Sequence, residues 1–290
     1  MSGRWVNRAP EDWTRMGKDY ASPLDLSDDV ERALTEVPGF AAWHMGHEQE
    51  KARSTWAGRI KDWRHARKVS EQGIDAEAAS FAIEHEIVGS GIARRATFDV
   101  AGGVVDIGRY MTGAPDCMVR RLPQPRPLMV SLGVQICASA SVPPETLRAR
   151  GEALFSAVQA IEATGARVRL DVVMTTEASE AKGFVHTSIR LKDYGAPVDT
   201  QVIAYWLAHP SGLRWWMFAA QAAVAYRDFP RHASPFCSYQ GMPTNPPAGY
   251  CAEQWDVYFE GVTGEIEIES PEEITKRALE AARARREAGR

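Results

Sequence analysis

Hydroxyl, carboxylate and imidazole side chains that could do chemistry follow the predicted strands of this chain. Ser139 and Ser141 lie in a turn after one strand, and Asp199, His209 and Arg214 surround a predicted helix after another. A serine, a histidine and an aspartate are the residue types of a nucleophilic triad. The chain lacks the GxSxG sequence of a nucleophile elbow, so a serine or metal-dependent hydrolase at the strand ends is one hypothesis. The alternative is that these groups only cap helices.

A basic segment gives a second hypothesis. Residues 51–68 carry seven basic side chains and one acidic side chain, together with Trp56 and Trp63. Basic side chains beside aromatic rings can hold phosphates and stack on bases. The candidate nucleic-acid ligands are Arg59, Lys61, Arg64, Arg67 and Lys68. Because the two tryptophans are seven residues apart, the alternative is that they face the core and leave the charges on a solvated face.

The elements that must position these residues begin with a strand–helix–strand unit. Residues 128–136 are apolar and β-prone, residues 145–164 form an amphipathic helix, and residues 166–174 form a second strand. A helix between two strands is typical of a parallel pair with a crossover connection. The helix side chains expected beneath the sheet are Leu154, Val158 and Ile161.

The rest of the C-terminal part continues this pattern. We expect a strand at 184–191 and final strands at 255–259 and 265–269. Alternation within the first of these places on one face Phe184, His186, Ser188 and Arg190. The expected helices are 199–208, 212–226 and a last helix that begins at Ser270. The fold class is therefore α/β, with a mostly parallel sheet covered by helices on both faces.

The N-terminal third predicts a separate unit. Ser27 is the expected N-cap of a short helix, and residues 46–72 and 75–87 are expected to form a helical hairpin. We therefore divide the chain into an arm and hairpin, residues 1–94, and an α/β domain, residues 95–290.

The turn after the first strand of the α/β part resembles a known motif. Cys137-x-Ser139-x-Ser141 is similar to the Asp-x-Ser-x-Ser sequence of the von Willebrand factor A-like fold, which is also followed by a long helix and a strand. In that family the motif binds a divalent cation. Cys137 stands here in place of the aspartate, and a neutral thiol is a poor ligand for a hard cation. The resemblance implies a degenerate von Willebrand A-like core, and we expect no metal and no cofactor.

Three longer segments resemble an uncharacterised family of tailed-bacteriophage proteins. They are residues 98–118, 141–170 and 190–219, and the resemblance to this domain of unknown function covers residues 95–285. It implies a phage or prophage origin and a core of sheet and helices, and it supplies no catalytic residues. Some phage genomes pair von Willebrand-like proteins with a hexameric ATPase of the AAA class, so the resemblance implies such an ATPase as a partner.

The composition is that of a folded, weakly acidic protein. The chain has 290 residues, a net charge of −4 and four cysteines. The charge creates no global attraction for nucleic acid or anionic membranes, and the low cysteine content favours a reducing compartment. No apolar run approaches the roughly 18 residues of a membrane span. We expect a cytoplasmic protein, in the bacterial host if it is phage-encoded, without a membrane partner.

The leading hypothesis is a non-enzymatic, phage-type protein that binds a protein partner. The expected contacts are the sheet edge, the turn at Ser139 and Ser141, the proline-rich loop 228–250, and a hot spot at exposed Trp215 or Trp216. Nucleic-acid binding and hydrolysis remain the alternatives, and the sequence leaves the oligomeric state open.

Overall fold

A computed structural model gives the fold of the chain. The residues that it describes are 7–8, 14–41, 62–72, 96–121, 126–138, 142–178, 183–209, 212–228, 244–262 and 267–289. Within these ranges there is no helix that is both long and apolar enough to cross a membrane.

The described elements comprise eleven strands and eight α-helices. The strands are β1 (Asn7–Arg8), β2 (Thr14–Met16), β3 (Asp19–Tyr20), β4 (Ala96–Asp99), β5 (Val104–Val105), β6 (Met118–Arg121), β7 (Met129–Gln135), β8 (Arg167–Ala178), β9 (Gly183–Lys192), β10 (Thr244–Asn245) and β11 (Val257–Phe259). The helices are α1 (Pro23–Glu36), α2 (Trp63–Gln72), α3 (Ile107–Met111), α4 (Pro144–Ala163), α5 (Thr200–Ala208), α6 (Phe218–Asp228), α7 (Ala248–Gln254) and α8 (Pro271–Glu287). A π-helix, Gly212–Met217, leads directly into α6.

The central sheet has the strand order β11-β7-β8-β9-β2, and β3 also pairs with β9. Every neighbouring pair is parallel except β8 and β9, which are antiparallel. The prediction of an α/β fold with a mostly parallel sheet flanked by helices is thus confirmed. Two small sheets accompany it: β1 pairs with β10, and β4, β6 and β5 form an antiparallel sheet of three strands.

The predicted strand–helix–strand unit is confirmed as β7, α4 and β8. The two strands pair in parallel from Met129 and Arg167 onward. Gly165 follows the helix with a φ of 86°, a left-handed conformation that glycine adopts without a steric penalty. The three predicted helix side chains, Leu154, Val158 and Ile161, are at most 2% exposed. Burying each of them stabilises the fold by about 1.5–3 kcal/mol.

The two faces of the sheet differ in chemistry. On one face, Val130, Leu132 and Val134 of β7 belong to the main hydrophobic core with α4. On the other face, Ser131 and Gln135 of the same strand are buried polar side chains. The segment that contains β10 and α7 covers this second face, which we call the polar face.

The predicted alternation in β9 is also confirmed, because the four side chains predicted for one face all lie on the polar face of the sheet. Phe184 and His186 lie edge-on to the ring of Tyr250 in α7. Ser188 donates a hydrogen bond to Asp19, and Arg190 donates one to Asp171.

The first helix has its N-cap five residues before the predicted one. Ser22, not Ser27, is the N-cap: its side chain accepts a hydrogen bond from the backbone N–H of Asp25. Pro23 at the first helical position favours this earlier start, because its fixed φ suits the helix and it has no N–H to satisfy. Ser27 is buried inside the helix and donates to the carbonyl of Leu24.

The helical hairpin predicted for the N-terminal third lies mostly outside the described residues. Of the helix expected at 46–72, the structure describes α2 (Trp63–Gln72), and the helix expected at 75–87 is not among the described residues. The division at residue 94 stays a prediction. Strands β2 and β3 of the predicted arm pair with β9 and so extend the central sheet.

The strand predicted at 265–269 is wrong for its described part. Residues 267–269 are irregular, and the charged side chains of Glu267 and Glu269 are exposed. Glu269 accepts a hydrogen bond from Arg277 of α8. This segment therefore connects to α8 instead of adding a strand.

Candidate functional site

A cavity of about 650 Å³ lies at the amino ends of β7 and β8. It is bounded by the segment before β7, by α7 and the residues after it, and by the last turns of α8. Its lining residues are Arg126, Pro127, Leu128, Met129, Ser131, Arg169, Tyr194, Glu253, Gln254, Asp256, Ala282, Arg285 and Arg286. Its volume falls within the range of about 300–1,000 Å³ that is typical of ligand pockets.

A buried carboxylate forms one wall of this cavity. Asp256 accepts hydrogen bonds from the backbone N–H and the hydroxyl of Ser131, at 2.6 and 2.7 Å. Arg285 lies 3.4 Å from the other carboxylate oxygen of Asp256 and donates to the backbone carbonyl of Glu253. The hydroxyl of Tyr194 hydrogen-bonds with Ser131, and burial raises the pKa of Tyr194 above its ordinary value. The tyrosine is therefore neutral near pH 7.

A second buried carboxylate supports the cavity from the polar face. Asp171 accepts hydrogen bonds from Arg169 at 2.9 Å, from Arg190 at 3.1 Å and from the indole N–H of Trp255 at 2.9 Å. A buried carboxylate needs such partners, because an unpaired charge in the interior is strongly destabilising. Asp171 therefore fixes the position of Arg169 in the cavity wall.

Trp255 packs closely on the sheet. A Cβ atom placed on Gly133 of β7 would lie 2.4 Å from the indole ring, a distance that no side chain permits. Gly133 thus lets Trp255 lie close enough to β7 to reach Asp171. The polar face and its cover are in this way joined by one aromatic side chain.

The charges of the cavity lining do not cancel. Arg169 and Arg285 are paired with Asp171 and Asp256. Neither Arg126 nor Arg286 forms an ion pair with a carboxylate in the described part of the chain. Glu253 is the remaining acidic side chain in the lining. The lining holds four arginines against two carboxylates and is net positive.

The far end of the polar face holds a neutral histidine. His186 is fully buried, and its Nδ1 lies 2.9 Å from the hydroxyl of Thr175. Burial lowers the pKa of His186 to about 3. Its ring is enclosed by Tyr250 and Trp255, so it is inaccessible to a substrate and acts as a packing group.

The residues of the predicted triad are not brought together within the described part of the chain. Asp199 caps the start of α5 by accepting from the N–H of Val202, and His209 lies at the end of the same helix. The ten residue steps between them, at the rise of an α-helix, place them roughly 15 Å apart. The imidazole of His209 stacks on Tyr205, and burial lowers its pKa to about 4.

The other predicted binding residues are only partly described. Arg214 lies in the π-helix, and Ser139 and Ser141 lie outside the described residues. The predicted hot spot at Trp215 or Trp216 is wrong, because both side chains are buried.

The burial of Trp216 has a specific cause. The ring centres of Trp63 and Trp216 are 4.3 Å apart. The indole N–H of Trp216 donates a hydrogen bond to the backbone carbonyl of Ala66. Trp216 therefore holds α2 against the core.

Part of the loop 228–250, which the sequence predicts as a contact, is also buried. The backbone carbonyl of Thr244 in this loop accepts a hydrogen bond from Gln135.

The predicted basic segment is partly engaged within the protein. Arg67 bonds with Asp28 and forms an ion pair with Glu31, both in α1. Arg64 and Lys68 are exposed, while Arg59 and Lys61 lie outside the described residues. The half-buried Trp63 faces the core, as the alternative interpretation of this segment expected.

The most unusual described surface is apolar. Nine large hydrophobic side chains are exposed in the described part of the chain, and seven of them fall within residues 98–111. The seven are Phe98, Val100, Val104, Val105, Ile107, Tyr110 and Met111, with exposed fractions between 43% and 77%. We call this set the exposed apolar surface. It lies on the three-stranded sheet and on α3.

Local contacts hold this surface in a defined shape. Phe98, Val119 and Val104 lie opposite one another across β4, β6 and β5, and so they share one face. Val105 is adjacent to Val104 in β5 and projects from the other face of this sheet. Asp106 caps α3, whose Ile107, Tyr110 and Met111 are spaced three and four residues apart and share a side.

An arginine ties the helix of this surface to its sheet. The guanidinium of Arg109 lies 4.3 Å from the centre of the Phe98 ring and is paired with Asp116. That guanidinium also holds the pKa of Asp116 below its usual range. These contacts therefore hold α3 and the three-stranded sheet, with their exposed apolar side chains, in a fixed arrangement.

Sequence reasoning missed both the cavity and this surface. The cavity arginines come from segments separated by up to 160 residues along the chain, so no local motif marks them. The apolar surface had a local signal, the sequence FDVAGGVVDIGRYM at 98–111, which contains few charges for a surface segment.

Comparison with known proteins gives a family without a known activity. The sequence profile of a domain of unknown function (DUF7192) matches residues 10–283. No curated protein and no solved structure matches the chain. The expectation of a domain of unknown function is thus confirmed, and the match includes β2 and β3 as well as the α/β core. Because it covers far more than half of the sequence, the chain belongs to the DUF7192 family.

Proposed function

We propose that this protein acts without catalysis, by binding a protein partner through its exposed apolar surface. The observation that supports the proposal is the concentration of seven exposed large hydrophobic side chains within residues 98–111. Soluble proteins rarely expose apolar groups so densely, and such patches typically mark interaction sites. Scattered exposed hydrophobic residues, such as Leu24 in α1, carry no such meaning.

The side chains on α3 are suited to anchor a partner. Ile107, Tyr110 and Met111 project from one side of a short helix. Tyrosine is among the residues enriched at binding hot spots, and methionine adapts its shape to irregular partner surfaces. Burying the three side chains in an interface removes apolar area from water, which is the main driving force of protein association.

The charges around the surface do not select a strongly charged partner. Across the three-stranded sheet and α3, residues 96–121, the acidic side chains are Asp99, Asp106 and Asp116, and the basic side chains are Arg109, Arg120 and Arg121. Because the two signs balance, the expected partner presents an apolar patch without a strong net charge at its rim.

We also propose the finer assignments that the sequence resemblance implies. The core is a degenerate von Willebrand A-like domain of phage type, and an ATPase of the AAA class is the implied partner. The parallel unit of β7, α4 and β8 and the sequence Cys137-x-Ser139-x-Ser141 support the first assignment. The phage assignment rests on the sequence resemblance alone, and a genomic neighbourhood without phage genes would contradict it.

Affinity purification from expressing cells tests the proposed function. The wild-type protein is compared with Ile107→Asp and Met111→Asp, which place a charge in the apolar surface. Leu24→Asp is the matched control, because Leu24 is half exposed but lies outside this surface. A partner retained by the wild type and the control should be lost by at least tenfold in both surface variants. Equal recovery by all four proteins would contradict the proposal.

Two further outcomes would also overturn the proposal. If Ile107→Asp and Met111→Asp unfold the protein, the surface packs against this chain itself and is not free for a partner. If the wild type forms a dimer that both variants abolish, the occupant is a second copy. Circular dichroism and light scattering on the purified variants separate these outcomes from loss of a different partner.

A further inference from the structure

We propose that the cavity at the amino ends of β7 and β8 binds a small organic phosphate, a phosphomonoester with an apolar body. This site is separate in its residues from the exposed apolar surface, and the two proposals can fail independently. Open α/β sheets usually bind ligands at the carboxyl ends of their parallel strands. This cavity lies at the opposite edge of the sheet, at the amino ends of β7 and β8.

The first argument is the charge of the lining. Arg169 and Arg285 neutralise Asp171 and Asp256, so their positions are fixed by buried carboxylates. Arg126 and Arg286 have no carboxylate partner among the described residues, and both contribute to the lining. Glu253, the remaining acidic side chain of the lining, offsets at most one of these two positive charges. The cavity therefore keeps an excess of positive charge that a bound anion neutralises.

The second argument is the chemistry of arginine. Its planar fork donates two parallel hydrogen bonds to a phosphate or carboxylate, which gives affinity and a defined orientation. Two such forks can engage the three terminal oxygens of a phosphomonoester, whereas a single carboxylate offers only two oxygens. Tyr194, which is neutral near pH 7, supplies a polar group without adding negative charge to the cavity.

The third argument is the apolar side of the same cavity. Pro127, Leu128, Met129 and Ala282 line it, and Met129 is among the exposed large hydrophobic side chains. Inorganic phosphate would leave these side chains in contact with water. A ligand with an aromatic or aliphatic body would cover them, and the cavity volume of about 650 Å³ accommodates a small molecule of that kind.

The dull explanation for the arginines accounts for only part of this arrangement. Arg285 and Arg286 lie in the last turn of α8, where positive charge is favourable because of the helix dipole. That explanation does not involve Arg126, which comes from the segment before β7. It also does not account for the apolar side chains that line the same cavity.

Calorimetric titration of the full chain tests the assignment with four probes. They are phenyl phosphate, inorganic phosphate, benzoate and phenol, which separate the phosphate group from the apolar body. Phenyl phosphate should bind measurably in the micromolar to millimolar range, more tightly than each of the other three. Stronger binding of benzoate would overturn the phosphate assignment, and absence of saturable binding of phenyl phosphate would overturn the site.

Two variants and a matched control locate the binding. Arg126→Gln and Arg286→Gln should each weaken phenyl phosphate binding about tenfold or more, because each removes a charge-assisted hydrogen bond. Arg283→Gln is the control: it lies on α8, is exposed and does not line the cavity. An equal loss in the control would mean that only overall charge matters. If a 5′-phosphorylated oligonucleotide binds and is weakened by both variants while phenyl phosphate does not bind, the ligand is a nucleic acid and the small-molecule assignment is overturned.

Discussion

At the scale of single residues, buried carboxylates organise the polar side of this fold. Asp171 receives donors from Arg169, Arg190 and Trp255, and Asp256 receives them from Ser131 and Arg285. These groups hold the cover of the sheet and the cavity wall in one arrangement. Loss of one carboxylate leaves its cationic partners uncompensated, which costs more than an exposed ion pair contributes.

Asp171→Asn should therefore lower the free energy of unfolding by about 2 kcal/mol, less than for a fully buried pair because its arginine partners are partly exposed. Glu269→Gln is the control, since Glu269 and its partner Arg277 are both exposed. The control should cost less than about 1 kcal/mol. Urea unfolding of both variants measures the difference, and equal losses would contradict the role given to Asp171.

The buried histidines predict a pH dependence of stability. Burial lowers the pKa of His186 to about 3 and that of His209 to about 4 in the folded protein. Below about pH 6.5 the unfolded chain binds protons at these positions that the folded chain does not bind. Stability should therefore fall as the pH drops from about 6.5 toward 4, and the loss should continue toward pH 3 for His186.

His186→Gln should flatten this dependence, because it removes a contribution of up to about 1.4 kcal/mol per pH unit. His209→Gln should flatten it over the narrower range above about pH 4. Urea unfolding at several pH values between 7 and 4 gives the slopes. Slopes that match the wild type in both variants would show that neither imidazole is held neutral by burial.

At the scale of elements, the sequence predicts what local patterns determine. The apolar period of β7, α4 and β8 predicted a parallel unit, and burial of Leu154, Val158 and Ile161 confirms it. The final helix likewise begins at its predicted cap, with a capping box between Ser270 and Glu273. These features depend on residues close together in the sequence.

Other elements depend on distant partners and were not predictable. Strand β8 continues to Ala178, four residues beyond its predicted end at residue 174, because it pairs with β9 over that length. The pairing of β2 and β3 with β9 joins residues about 170 positions apart. The cavity is equally non-local, and so its arginines had no sequence signal that distinguished them from surface charges.

The contact of α7 with the sheet gives a prediction at this scale. Gly133→Ala should lower the free energy of unfolding by about 1–3 kcal/mol, because the added Cβ overlaps the ring of Trp255 and no rotamer relieves it. Gly195→Ala is the control, since a Cβ there meets no atom within 4 Å. Tryptophan fluorescence and urea unfolding report the effect. Equal stability of the two variants would mean that Trp255 does not pack on β7 as described.

At the scale of the whole molecule, an ordinary core carries an unusual surface. The main hydrophobic core joins α4, α5, α6 and α8 with the sheet. Burial of its apolar side chains stabilises the fold. Strands β4, β5 and β6 pair with one another, and together with α3 they expose apolar side chains. Because such exposed apolar surfaces typically mark interaction sites, partner binding is the role that we propose for this one.

Site-specific photo-crosslinking in expressing cells tests this central claim most directly. A photoreactive amino acid replaces Met111 in the exposed apolar surface, and in a second protein it replaces Leu24 in α1. The proposed function predicts one dominant protein adduct at position 111, absent at position 24 and removed when Ile107→Asp is added. The same adducts at both positions, or only adducts within the chain itself, would contradict it.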